Sequence, residues 1–157
     1  MTFGPEGTGG ARIHDISAVG DVLDLFKKYS YDELDTARVY CDGKEEGFIT
    51  KVGWKERGFK IASKCYPVKP GGHSAPELRA TLEKSLSELK TDKIDLYYLH
   101  APDWATPLEE TVKAMDELYK EGKVAVWGIS NFTVLCYLKC TDIILVLASR
   151  GDVYSGS

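Results

Sequence analysis

Hydrophobic and polar positions along this chain alternate between two periods. Ile16, Val19, Val22, Leu23 and Phe26 recur at helical spacing behind Asp15, which predicts a helix through Lys28 with that aspartate as its N-cap. Glu33-Leu34-Asp35-Thr36-Ala37 reads as a short strand. Lys44 to Lys51 reads as a short helix with Phe48 and Ile49 as its apolar contacts. Lys60-Ile61-Ala62-Ser63 is the next strand, with Lys64 expected where it emerges. Ser74 opens an amphipathic helix with Leu78, Leu82, Leu86 and Leu89 on one face, and Ala75, Pro76 and Glu77 suit its first turn. Ile94 to Leu99 is almost wholly apolar, as expected of a strand buried on both faces. Thr106-Pro107 starts a further helix through Val112, Met115, Leu118 and Tyr119, and Gly122 stops it. Val124 to Ile129 is another buried strand. Met1 to Phe3 reads as the tail of a strand, and Gly4 to Gly10 as a loop.

Strand starts near 33, 60, 94 and 124 give a repeat of about thirty residues, the size of a βαβ unit. Strands alternating with amphipathic helices predict a parallel sheet. An open doubly wound sheet and a (β/α)8 barrel both satisfy that pattern. No G-x-G-x-x-G follows any strand, which removes the main sign of a dinucleotide-binding open sheet. Polar residues recur at or near the C-terminal ends of successive strands, which favours the barrel. The fold class expected is therefore α/β, a partial (β/α)8 TIM barrel of about the first four to five βα units. The 157 residues are a little over half of a typical ~250-residue barrel, so an incomplete one is expected.

Composition narrows the function classes. Hydrophobic content of 43% with 28% charged residues is that of an ordinary globular domain. A net charge of −4 and no basic stripe predict no nucleic-acid partner. Cys41, Cys65, Cys136 and Cys140 form no C-x-x-C and, with three dispersed histidines, no zinc spacing; no metal is expected and the thiols are read as reduced. No signal peptide opens the chain, and the apolar stretch Val134 to Ala148 is too short and too interrupted to span a bilayer. A cytoplasmic protein without a membrane partner is the expectation.

Asp35, Tyr40, Lys64 and His100 fall at or near neighbouring strand ends. A phenol, with a reference pKa near ~10, gives up its proton poorly at neutral pH unless an ammonium beside it favours the phenolate. A carboxylate can hold that ammonium, and a neutral imidazole can donate to a carbonyl oxygen. These are the types needed to protonate a carbonyl oxygen as hydride reaches its carbon. Taken singly, an Asp or Lys at a strand end is ordinarily a solvated terminus, a Tyr a packing residue, and a His after an apolar strand a core residue. Tyr97 and Tyr98 read as sheet residues, Trp104 as a loop residue at a pocket mouth, and His14 and His73 as surface residues.

Glu33 to Tyr40, Ile61 to Lys64, Asp95 to His100 and Gly128-Ile129-Ser130-Asn131-Phe132 resemble, in order, the signatures of the aldo-keto reductase superfamily. Tyr40 to Glu46 and His100-Ala101-Pro102-Asp103 are similar to its aflatoxin aldehyde reductase branch. The resemblance implies NADPH-dependent reduction of aldehydes or ketones. It implies Tyr40 as proton donor, Lys64 as its partner, Asp35 as the acid that holds the lysine and lies against the cofactor, and His100 as the substrate-orienting imidazole. Ser130 and Asn131 would bond the nicotinamide carboxamide. The motif match runs through residues 1–132, an N-terminal part of such a barrel, and 133–157 reads as a divergent C-terminal tail whose Ile143 to Ala148 run could cap a sheet edge as a strand. Truncation to about the N-terminal half is expected to impair catalysis and to promote self-association through exposed barrel edges at Met1 to Phe3 and Val124 to Ile129. A catalytically inactive fragment or binding subunit related to these reductases is the alternative.

Overall fold

A computed structural model describes residues 2–149 of the chain. Asp15 Oδ1 accepts the Ala18 N–H at 2.7 Å and so caps α1 (Ile16–Lys28) at the expected place. Behind it follow β1 (Glu33–Asp35), α2 (Glu45–Val52), β2 (Lys60–Cys65), α3 (Ala75–Leu89), β3 (Ile94–Leu99), α4 (Leu108–Lys120), β4 (Val124–Ile129) and α5 (Val134–Ser149). The sheet order is β1-β2-β3-β4 and every pairing is parallel. Each strand leads into a helix, so the described chain is four successive βα units of a partial (β/α)8 barrel.

The helices bury the faces that their spacing marked. Val19 and Leu23 of α1, Leu78, Leu82, Leu86 and Leu89 of α3, and Met115 and Leu118 of α4 pack with Ile61, Ile94, Tyr97 and Leu99 in one cluster. Each such side chain removed from water is worth about 1.5–3 kcal/mol, which is what holds helices this short onto the sheet.

Three boundaries differ from the pattern. The ladder of β1 ends at Asp35, yet Thr36 N–H still reaches Ala62 O at 2.9 Å and Arg38 N–H reaches Lys64 O at 3.2 Å, so the chain runs beside β2 as far as expected. β2 continues through Cys65, because Cys65 pairs with Leu99 and accepts the His100 N–H at 2.8 Å. Lys64 therefore lies inside the strand and is 6% exposed, rather than emerging from it. Phe3 bridges to Ile13, which gives that segment a partner of its own.

The expected edge strand at Ile143 to Ala148 is helix instead. Thr133 Oγ1 accepts the Cys136 N–H at 3.3 Å and starts α5 as its cap, and the β-branched run continues the helix already begun. Ile143 and Ile144 pack against Val112 of α4. No described helix is long and apolar enough to cross a membrane.

Candidate functional site

Alternation along β2 sorts its side chains. Ile61, Ser63 and Cys65 are buried, with Ile61 and Cys65 in the core cluster and Ser63 bonded to α2, which leaves Lys64 on the opposite face. There its three N–H donors are all used. Lys64 Nζ lies 2.7 Å from Asp35 Oδ1, 2.9 Å from Thr36 O and 3.4 Å from Tyr40 Oη. Asp35 belongs to β1 and Tyr40 to the turn beyond it, so the parallel pairing of β1 with β2 is what joins them.

The turn that presents Tyr40 is strained. Cys41, Asp42 and Gly43 all have left-handed backbones, at φ of 51°, 56° and 76°. Only the last is free of penalty, so the surroundings must hold the other two. Gly9 N–H bonds Asp42 Oδ2 at 2.9 Å, the Cys41 thiol reaches Phe3 O at 3.3 Å, and the Arg38 guanidinium bridges Gly43 O and Glu46. The glycine-rich loop near the N-terminus is thus a brace for the tyrosine turn.

His100, directly after β3, sets its ring edge-on to Tyr40 with centroids 5.6 Å apart, and edge-on to Tyr66 at the same separation. Burial lowers its pKa, Lys64's charge lowers it further, and Asp35 opposes both only in part, so the imidazole is neutral near pH 7. Its Nδ1 is buried and has no hydrogen-bond partner among the described residues. Asn131, beyond β4 at φ 60°, donates from Nδ2 to His100 O at 2.8 Å and to Ser130 Oγ at 3.1 Å. All six residues singled out in the sequence (Asp35, Tyr40, Lys64, His100, Ser130 and Asn131) therefore meet at the C-terminal ends of the four strands.

Two buried glutamates of the site were not singled out in the sequence. Glu46 is fully buried, accepting Ser63 Oγ–H at 2.6 Å and pairing with Arg38. Glu45 is buried as well, and burial pushes its pKa up to about 7 against the opposing charges of the α-amino group and Lys64. A signal existed, since Glu45 shares the i, i+3, i+4, i+7 stripe with Phe48, Ile49 and Val52. His73, expected at the surface, is 1% exposed: its ring faces Cys65 O at 3.3 Å and its own carbonyl accepts Thr111 Oγ1–H. Asp103 ties the loop after β2 to the loop after β3. Its partial burial is outweighed by hydrogen bonds from the Thr106 hydroxyl and the His73, Ala105 and Gly71 N–H groups, which hold its pKa at about 2. Trp104 lies at the mouth of the cavity beside that aspartate, 77% exposed. All four cysteines are free. Among the described residues no group of three or more His, Cys, Asp or Glu is placed to hold a metal ion.

Comparison with known proteins matches this arrangement to one family. The model of the Aldo/keto reductase family aligns with residues 1–146, reaching into α5 and so beyond Phe132, where the motif resemblance ended. Aflatoxin B1 aldehyde reductase member 2 of Mus musculus is 38% identical over 125 residues, covering 77% of this chain and 34% of its own length. An aldo/keto reductase from Klebsiella pneumoniae, crystallised with NADP and acetate, superposes with a TM-score of 0.65 at 30% identity, over 83% of this chain and 42% of that one. A thermostable aldo-keto reductase in complex with the inhibitor epalrestat gives 0.73 at 31% identity, over 90% and 53%. The chain thus spans about a third to a half of the length of the relatives it matches. The family match includes all four strands and every residue of the Asp35, Tyr40, Lys64 and His100 cluster, and the chain belongs to the aldo/keto reductase family.

Proposed function

We propose that this chain carries the carbonyl-reducing centre of an NADPH-dependent reductase of aldehydes and ketones, with Tyr40 as the proton donor. The observation that carries the reading is Lys64 Nζ at 3.4 Å from Tyr40 Oη while Asp35 grips the same ammonium at 2.7 Å. A phenol beside a fixed cation is a usable general acid near neutral pH. The Tyr40 O–H bond breaks as its proton passes to the carbonyl oxygen, hydride adds to the carbonyl carbon, and an alcohol results. The nearby charge of Lys64 then stabilises the phenolate left behind.

His100 orients the substrate. With Nδ1 buried and unpartnered, the neutral ring is better satisfied with its proton on Nε2, from which it can donate to the carbonyl oxygen. The residues present also fit a nicotinamide carboxamide. Asn131 spends its Nδ2 hydrogens on His100 O and Ser130 Oγ, so its Oδ1 remains to accept an amide N–H. Ser130 Oγ accepts one of those hydrogens and keeps its own to donate. Ser130, Asn131 and Asp35 would hold the nicotinamide end of NADPH, which when bound supplies the hydride. These contacts all lie at one end of the cofactor, so the 157-residue chain alone is expected to bind NADPH weakly and to turn over slowly. The four free cysteines support a reducing, cytoplasmic setting.

A second reading, a non-catalytic binding subunit that also self-associates, has its own support. α5 exposes Val134 at 76%, Leu135 at 63% and Leu138 at 52%, and β4 is an edge strand with Val126 58% exposed. Titrating NADPH by fluorescence, with NADPH consumption followed on adding a small aldehyde, separates the two. Saturable binding with slow consumption is expected of the reductase. Neither binding nor consumption would overturn it in favour of the subunit.

A further inference from the structure

Glu45 and Glu46 are neighbours in sequence, both buried, and differently satisfied. Glu46 has Ser63 and Arg38 as partners. Glu45 is 4% exposed, and its Oε2 meets neither solvent nor any hydrogen-bond partner among the described residues. The rest of Glu45 is fastened to the site. Its own N–H reaches Tyr40 O at 3.3 Å, and the Ala37 backbone lies close enough to its carboxyl to lower the pKa slightly. Ala37 follows Thr36, whose carbonyl receives Lys64 Nζ. One residue thus borders both ends of the segment that carries Tyr40 and bonds one of them.

The charged and titratable groups that act on Glu45 are the α-amino group of the chain, Lys64 on β2, Asp35 at the end of β1, and the Cys41 thiol in the turn. A carboxylate oxygen with no donor and no water is costly when ionised, so the neutral acid is favoured at this position. Burial accordingly raises the carboxyl to about 7, with the charges of the α-amino group and then Lys64 opposing and Asp35's reinforcing.

We infer that Glu45 is a positioning residue of the reduction site, packed beneath the Tyr40 segment as a neutral acid and weakening proton donation by Tyr40 when it ionises. This rests on the carbonyl-reduction reading above. A neutral Glu45 leaves the ammonium of Lys64 divided between Asp35 and the phenol. An ionised Glu45 adds a second negative charge near the same ammonium and cancels part of its field at the hydroxyl. The carboxyl releases its proton to solvent, and no other bond changes. Reduction should therefore decline as pH rises through the neutral range.

The test is a carbon-13 titration of the glutamate side-chain carboxyls in wild type, Glu45→Gln and Lys64→Met, beside pH profiles of aldehyde reduction. A resonance missing from Glu45→Gln should titrate near neutral pH in wild type. It should move to higher pH in Lys64→Met, which removes the charge that lowers it. Wild-type turnover should carry an inflection of about threefold to tenfold across that range, the effect of up to one pKa unit of coupling. Glu45→Gln should lose the inflection and bind NADPH as before. Should Glu45→Gln not fold, the resonance that responds to Lys64→Met still decides. A Glu45 that titrates below about pH 5, as a solvated glutamate does, overturns this role alone. So does one that ignores Lys64→Met, or an inflection that persists in Glu45→Gln. Absence of wild-type turnover overturns the reduction reading, and this role with it.

Discussion

The site draws on two unlike regions of one sheet. Between β1, β2 and α2, Lys64, Ser63 and Glu46 are sealed from water and cross-bonded, with the Lys64 side chain 8% exposed. At β4 the same sheet has a neighbour on one side only among the described residues, Val126 is 58% exposed, and Asn131 holds to His100 and Ser130 from the surface. Three of the four residues proposed for proton transfer come from the first region, with Lys64 inside its seal, Tyr40 half-buried and Asp35 at its rim with the side chain 64% exposed, and Ser130 and Asn131 come from the second. The comparison teaches that the proposed acid is fixed by the described fold, while the proposed cofactor contact hangs on an edge strand of the described sheet. Substitutions on the first side should therefore cost chemistry or stability outright, and those on the second mainly change association.

Lys64→Met is expected to give the largest change. Reduction should fall by about 10²–10⁴-fold, the usual worth of general acid catalysis, and the pH–rate profile should shift. His100→Ala should instead re-rank aldehydes and leave the profile in place. Steady-state kinetics on a panel of aldehydes checks both, and identical profiles and rankings in the two variants would erase the distinction between them. Glu46→Ala tests how tightly the sealed side is cross-bonded. It strands Arg38 and Ser63 in a buried site, so about 3–5 kcal/mol of stability should be lost in urea unfolding.

Asp103→Ala frees the loops after β2 and β3, for about 1–2 kcal/mol after screening by solvent. Its pH dependence has a definite sign. The folded carboxyl titrates at about 2 and an unfolded aspartate near ~3.9, so its stabilisation is present above about pH 4 and is lost as pH falls toward 2. The wild type should lose stability over that acid window faster than the variant, by thermal melts at stepped pH. Val126→Lys on the edge strand should change stability by under about 0.5 kcal/mol, yet shift sizing chromatography toward monomer. A monomeric wild type would remove the basis for that contrast.

Much of this was legible in the sequence, and the exceptions have physical causes. Leucines four residues apart announced α3, and an unbroken apolar run announced β3, because each pattern reports burial on a known face. Asp35, Tyr40, Lys64 and His100 were legible by type and spacing, since parallel strands deliver their ends to one side. Lys64 was placed one step too far out, because the last ladder pair is fixed by Leu99, on another strand. The burial of His73 follows from contacts with Cys65 and Thr111 that no local pattern encodes. Ile143 to Ala148 is a short apolar run that suits either strand or helix, and the Thr133 cap decided it.

The most direct test of the central claim compares wild type with Tyr40→Phe in reduction of a small aldehyde at saturating NADPH, with cofactor affinity measured alongside. Removing one hydroxyl deletes the proton donor and leaves the ring, so wild type should reduce the aldehyde and the variant should be at least ~10²-fold slower at unchanged NADPH affinity. Equal rates in the two proteins, or no reduction by wild type, would contradict the account.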